Sequence, residues 1–119
     1  MAIPSGSGTE VLKRLTASGD FDSTPTILTV PALHIYTILS IFITETISSD
    51  ETIWLKMTDN DNSNRDIFIL RSQAINANET FIHNDKFVLG AGDTLKLQSG
   101  SVCDMDVLIS YIDQDWTTP

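Results

Sequence analysis

FIHNDKFVLGAGDTLKLQSGSVCDMDVLISYIDQDW, residues 81–116, is the stretch that decides the fold. It holds three alternating apolar runs: Lys86-Phe-Val-Leu, Thr94-Leu-Lys-Leu-Gln and Asp106-Val-Leu-Ile-Ser-Tyr-Ile. Successive side chains of a strand point to opposite faces, so a period of two marks strands rather than helix. Between the runs stand Gly90-Ala-Gly-Asp93 and Ser99-Gly-Ser101, residue types that close tight turns. No residue here is placed as a nucleophile, a metal ligand or a phosphate cradle. The stretch points to strands whose surfaces do the work.

Working outward, the same reading predicts strands over Thr26–Val30, Leu33–Glu45, Thr52–Thr58, Asp66–Arg71, Thr80–His83, Lys86–Leu89, Thr94–Gln98 and Met105–Asp113. Short segments at close spacing, with no long run at helical period, predict an all-β fold. Its form is a jelly-roll-like antiparallel β-sandwich of about eight strands. Pro31 should end the first of these strands or confine it to an edge. Residues 1–8 are Gly/Ser-rich, and Thr9 to Ala17 reads as a first strand or a single helical turn, with an extended arm the favoured reading. The division predicted is an N-terminal arm over residues 1–17 and a sandwich domain over 18–119.

At 119 residues the chain suits one domain and is too short for two well-cored ones. Sixteen acidic residues against seven basic give a net charge of −9. Nucleic-acid binding depends on Lys and Arg neutralising phosphates, so no nucleic-acid partner is predicted. Anionic membrane surfaces are disfavoured on the same ground. The charge is uneven: +1 through Thr16 (Lys13 and Arg14 against Glu10) and −10 beyond it. The opening residues lack the basic and apolar regions of a signal peptide. Ile35–Ile43, the longest apolar stretch, is too short to cross a bilayer. The expectation is a soluble protein made in a cytoplasm, where the sequon Asn78-Glu-Thr80 carries little weight.

Several strands read as apolar on both faces. Along Ile35–Ile43, Ile35, Leu39, Ile41 and Ile43 fall on one face and Tyr36, Ile38 and Phe42 on the other. Ile67 and Ile69 oppose Phe68 and Leu70, while Val107, Ile109 and Tyr111 oppose Leu108 and Ile112. An isolated two-sheet sandwich buries one face of each sheet. Doubly apolar strands therefore predict a second cover, supplied by another copy of the chain. The interface candidates are Tyr36, Ile38, Phe42, Phe68, Leu70, Leu108 and Ile112. In the arm, Val11, Leu12 and Leu15 carry apolar surface beside Lys13 and Arg14, and these five are candidates for attachment to a larger particle.

Chemical motifs are weak. Asp59, Asp61 and Ser63 have the alternate spacing of oxygen ligands for Ca²⁺, but the turn glycine and a downstream bidentate Glu are missing, so a plain hairpin loop is predicted. His34 and His83 sit at strand ends without zinc-ligand spacing. Gly90–Asp93 leads into a strand, not a helix, and reads as a turn. Asp104/Asp106 and Asp113/Asp115 read as solvated strand rims. Cys103 has no cationic neighbour that would make it reactive and reads as a packed strand-end residue. The residues predict no enzyme, cofactor or metal site.

Four segments carry a family resemblance: IPSGSGTEVLKR from Ile3, VPALHIYTILSI from Val30, FVLGAGDTLKL from Phe87 and DVLISYIDQDW from Asp106. Together they resemble a family of small virion structural proteins of tailed bacteriophages. The resemblance is one of pattern and covers most of the chain. It implies a β-sandwich module, non-enzymatic, that assembles as a trimer or a larger ring. It further implies a capsid decoration (cement) protein on the virion, with the major capsid protein or another virion protein as partner. Collar, tail or fibre components are the alternative, including a receptor- or glycan-binding module for which Trp54, Trp116 and Phe21 are the available aromatics. The family offers no catalytic residue to carry over.

Overall fold

A computed structural model describes residues 9–23 and 26–116. Its strands are β1 (Thr9–Gly19), β2 (Thr26–Thr29), β3 (His34–Glu45), β4 (Glu51–Asp59), β5 (Arg65–Ile75), β6 (Thr80–His83), β7 (Phe87–Leu89), β8 (Thr94–Ser99) and β9 (Met105–Asp115). The single helical element among the described residues is a 3₁₀ turn, Asn60–Asn62, at the β4–β5 hairpin. One sheet runs β1-β9-β3-β6 with β7 also paired to β3, and the other runs β2-β8-β4-β5. Because β6 and β7 both pair with β3, they act as one strand interrupted at residues 84–86. Each sheet then has four positions, and the chain crosses between sheets at nearly every connection. This winding is a jelly roll.

Alternation explains the core. Ile38, Ile41, Ile43, Met105 and Ile109 from one sheet and Ile53, Leu55, Leu95 and Leu97 from the other are fully buried between the layers. Facing sheets about 10 Å apart leave room for one interdigitated layer of such side chains.

Two bulges change the face assignments predicted from strict alternation. In β3, Ile38 opposes Tyr111 but the next pair is Ser40 with Ser110, so Leu39 is an extra residue. One inserted residue inverts the phase. Tyr36 and Ile38 therefore join Ile41 and Ile43 on the inner face, where both are buried in the core. They are core residues, not part of a second face. In β5 the register skips between Leu70, opposite Leu55, and Phe68, opposite Lys56. Leu70 packs against the core while Phe68 faces outward and is 46% exposed.

From Thr9 onward the predicted arm is a strand. β1 pairs with β9 in unbroken register from Thr9–Asp115 to Gly19–Met105, so the predicted boundary at 17/18 falls inside it. Leu15 and Ala17 pack against the core. Residues 1–8 of the arm lie outside the described residues.

The loops are tied by carboxylates that satisfy backbone donors. Buried Glu45 accepts from Ile47 N and Asn78 N, both at 2.8 Å. Burial pushes its pKa up, but the amides of Asn78 and Ile47 outweigh that and hold it below the ordinary value. Asp93 accepts from Gly90 N and Asn60 N, both at 2.8 Å, which locks Gly90–Asp93 as a turn against the β4–β5 hairpin. Gly92 there has φ +83°, and a Cβ would stand 2.7 Å from Asn60 Cγ. Gly92→Ala should lower unfolding stability by about 1–2 kcal/mol. A urea midpoint unchanged from wild type would contradict this role.

Candidate functional site

The register of the five-stranded sheet builds its outer face row by row. Leu12, Ile112, Thr37 and Val88 lie side by side across β1, β9, β3 and β7. Thr16, Leu108, Phe42 and Ile82 form a second row across β1, β9, β3 and β6. Between them Arg14, Ser110 and Ser40 align, with the bulged Leu39 alongside. Leu12 is 71% exposed, Ile82 52%, Val88 47% and Phe42 38%. The small Ser40 and Ser110 leave one depression between the rows, and a second lies over the second row. One, of ≈ 590 Å³, is lined by Leu12, Arg14, Leu39, Ser40 and Ser110 among others; the other, of ≈ 570 Å³, lies over Thr16, Phe42, Thr44 and Leu108. Nothing on this face is arranged for bond chemistry. Its character is a broad, shallow, apolar surface.

Of the seven interface candidates, the structure brings together Phe42, Leu108 and Ile112. Phe68 lies on the outer face of the opposite sheet, with Lys56 Nζ 5.6 Å and Arg71 Cζ 5.2 Å from its ring centre. The face also holds Leu39, Ile82 and Val88, which the sequence reading missed. Ile82 and Val88 have the outward phase of two very short strands, and their alternation was the available signal. Of the attachment candidates, Leu12 and Arg14 point outward, while Val11, Lys13 and Leu15 have the inward phase.

Lys13 has a different task from the one predicted. Its Nζ lies 2.7 Å from Asp113 Oδ2, and His34 Nδ1 donates to Asp113 Oδ1 at 2.6 Å. His34 Nε2 is 3.5 Å from Asp115. Asp113 is on the inner phase of β9, at the open end of the core, with its side chain 3% exposed. Burial pushes its pKa up, but Lys13 and His34 outweigh that and hold it below the ordinary carboxylate value. The hydrogen bond to Asp113 in turn raises the Lys13 pKa. Tyr36 and Tyr111 pack with ring centres 4.7 Å apart beside this node, and burial raises the Tyr36 hydroxyl pKa. The arrangement is a structural ion cluster that closes the sandwich end.

The remaining candidates are structural too. Asp59 caps the 3₁₀ turn by accepting from Asp61 N at 3.2 Å, and Ser63 and Asn64 take the left-handed conformation of a hairpin loop. Among the described residues, no three His, Cys, Asp or Glu side chains are placed to hold a metal ion. Cys103 is buried with Sγ 3.2 Å from Ser99 Oγ. No helix among the described residues is long and apolar enough to cross a membrane.

No protein-family model matches this sequence, and no curated protein matches it either. Solved structures do match in fold. A subunit of the Bacillus endospore appendages, a family of disulfide-linked pili, aligns with a TM-score of 0.59 and 9% identity over 97% of this chain and 96% of its own. A chain of infectious bursal disease virus, Gx strain, aligns with a TM-score of 0.56 and 8% identity over 94% of this chain. Only 34% of that viral chain is covered, so this protein corresponds to about a third of it. A pentameric capsid protein isolated from metagenomic phage sequences also matches, with a TM-score of 0.41 and 18% identity over 85% of this chain and 62% of its own. The first two likenesses establish a shared fold: this chain is a jelly-roll β-sandwich, with neighbours in a pilus and in a virus.

Proposed function

We propose that the protein is a non-enzymatic structural subunit of a virus particle, a capsid decoration protein that associates with copies of itself. The observation that carries this reading is the outer face of the β1-β9-β3-β6/β7 sheet. Leu12, Leu39, Phe42, Ile82, Val88, Leu108 and Ile112 make an apolar surface that a monomer has no reason to keep. Support also comes from the two neighbours that share the fold, since both belong to assemblies. The disulfide linkage of the pilus family does not transfer readily. The one cysteine of this sequence, Cys103, is buried. A broad face with only shallow depressions suits stoichiometric attachment, and the acidic remainder keeps particles apart in water. Trimers, with the major capsid protein as the second partner, are the arrangement implied by the phage resemblance. Sugar binding gains nothing from the aromatics: Phe21 is 4% exposed, in the core, and Trp54 and Trp116 are half-buried.

Light scattering of the purified chain is expected to show an oligomer at micromolar concentration. Phe42→Asp should break the contacts made through this face and reduce the size of the assembly, because an unpaired carboxylate buried in an apolar contact costs several kcal/mol. Phe42 is already 38% exposed, so the monomer itself should lose less than about 1 kcal/mol. A wild type that remains monomeric, or a variant whose assembly is the same size as wild type, would overturn the association through this face. Gold-labelled antibody on purified particles then tests the location. Labelling spread over the head is the expected pattern; labelling confined to the collar, tail or fibres would replace decoration by that site.

A further inference from the structure

Among the described residues, four edges border the two sheets, and three of them carry features that discourage addition of another strand. β2 is four residues long with a register shift, and β6 and β7 have four and three residues. β5 has two register shifts and holds Ser72 at φ 54°. β1 is different. It runs eleven residues in unbroken register, with no proline and no glycine before Gly19. Among the described residues nothing pairs with its far side, which presents a regular row of backbone donors and acceptors.

The sequence of β1 selects what can pair there. Two identical antiparallel strands are related by a two-fold axis, and directly opposed side chains share a face. The axis must therefore pass through a residue opposed to itself. Centring on Glu10, Lys13 or Arg14 sets a like charge against its own copy, which is unfavourable. Centring on Val11 or Leu15 sets neither Glu10 nor Arg14 opposite an opposite charge. Centring on Leu12 sets Glu10 opposite Arg14 on both sides of the axis, and Lys13 opposite Val11. Glu10, Leu12 and Arg14 share the outer face and all three are exposed.

We propose that β1 pairs antiparallel with β1 of a second copy of this chain about a two-fold axis through Leu12, joining the two five-stranded sheets into one. The inference goes beyond the face-mediated association proposed above: it adds a second, two-fold contact at the β1 edge, which leaves the outer faces free. Leu12, the most exposed large apolar side chain of the described residues at 71%, then packs against its own copy. The axis stands perpendicular to the sheet, so both outer faces stay on one side. The row Leu12–Ile112–Thr37–Val88 becomes continuous across the pair, doubling the apolar face.

Cysteine scanning of the full chain tests the register. Leu12→Cys places two thiols on residues opposed at about 4.5–5.5 Å between Cα atoms, within disulfide reach. Thr16→Cys lies on the same face, but its own copy would be about 27 Å away. Air oxidation is expected to link Leu12→Cys into dimers and to leave Thr16→Cys and the wild type, whose Cys103 is buried, unlinked. Glu10→Arg or Arg14→Glu should each weaken association about tenfold at low salt, and the two together should restore it. Thr16→Cys linking as fast as Leu12→Cys overturns the register, as does a charge exchange that fails to restore association. If the wild type assembles and Phe42→Asp reduces its size while Leu12→Cys stays unlinked, the edge pairing alone is lost. If the wild type is monomeric, the self-association falls with it.

Discussion

Deletion of residues 1–17 is expected to leave a chain that is insoluble or unfolded. The deletion removes most of β1, and with it the cover over one side of β9. Backbone hydrogen bonds contribute about 1 kcal/mol each, and ordering a residue costs about the same or more, so those two terms nearly cancel. What remains is apolar burial and charge. Leu15 and Ala17 leave the core, worth about 2 kcal/mol or more. Ile109 and Val107, buried against them, become exposed along one side. Asp113 also loses Lys13. Set against a total stability of about 5–15 kcal/mol, losses of this kind leave little. Deleting residues 1–8 alone keeps β1 whole and should leave a cooperative melt within a few degrees of wild type. A soluble 18–119 fragment with wild-type circular dichroism would restore the view of residues 9–17 as an arm, and its failure to attach to particles would then give that arm its role.

The weak pattern of β1 has a physical cause. An edge strand is covered by one neighbour and half-exposed, so its sequence needs only a weak apolar phase. TEVLKRLTA shows that weakness, since Val11 and Lys13 share the inner phase with Leu15 and Ala17. Central strands were legible: Met105–Asp115 alternates cleanly, and its inner residues Val107, Ile109 and Tyr111 are where period two puts them. Bulges were not. A single extra residue at Leu39 leaves composition and average period untouched yet moves Tyr36 and Ile38 into the core. The apolar outer face survives in reduced form because Phe42, Leu108 and Ile112 lie beyond any bulge that would invert them. Topology also escaped the sequence, since nothing local says that Val88 and Ile82 come to lie beside Thr37 and Phe42 on one strand. The surface became visible only once pairing was known.

The Asp113 node gives the second large effect, and its sign can be worked out in advance. Asp113 is nearly sealed from water, whereas the Lys13 side chain is 44% exposed, so solvent screens the lysine end of the pair. The carboxylate is the member that needs company. In the wild type its pKa is held below the ordinary 3.8, so its contribution is complete above that value and is lost as pH falls through the lower, folded-state value. Lys13 behaves oppositely: its raised pKa gives a contribution present below 10.5 and lost as pH rises through the folded-state value. Replacing both partners, Lys13→Met with His34→Ala, leaves a buried carboxylate without the Lys13 ammonium and without the His34 hydrogen bond. At neutral pH that should cost about 3–5 kcal/mol. Without its partners the burial pressure on Asp113 acts unopposed and drives its pKa above 3.8. Protonation then relieves the site, so the gap between variant and wild type should narrow as pH is lowered from 7 towards 4. Glu45 and Asp66, whose pKa values are also held low, titrate alike in both proteins and cancel in the difference. Urea unfolding across that range measures the gap directly. A constant offset at every pH would mean that the two substitutions act through lost packing, and that Asp113 is not the charge the sandwich end is built to hold.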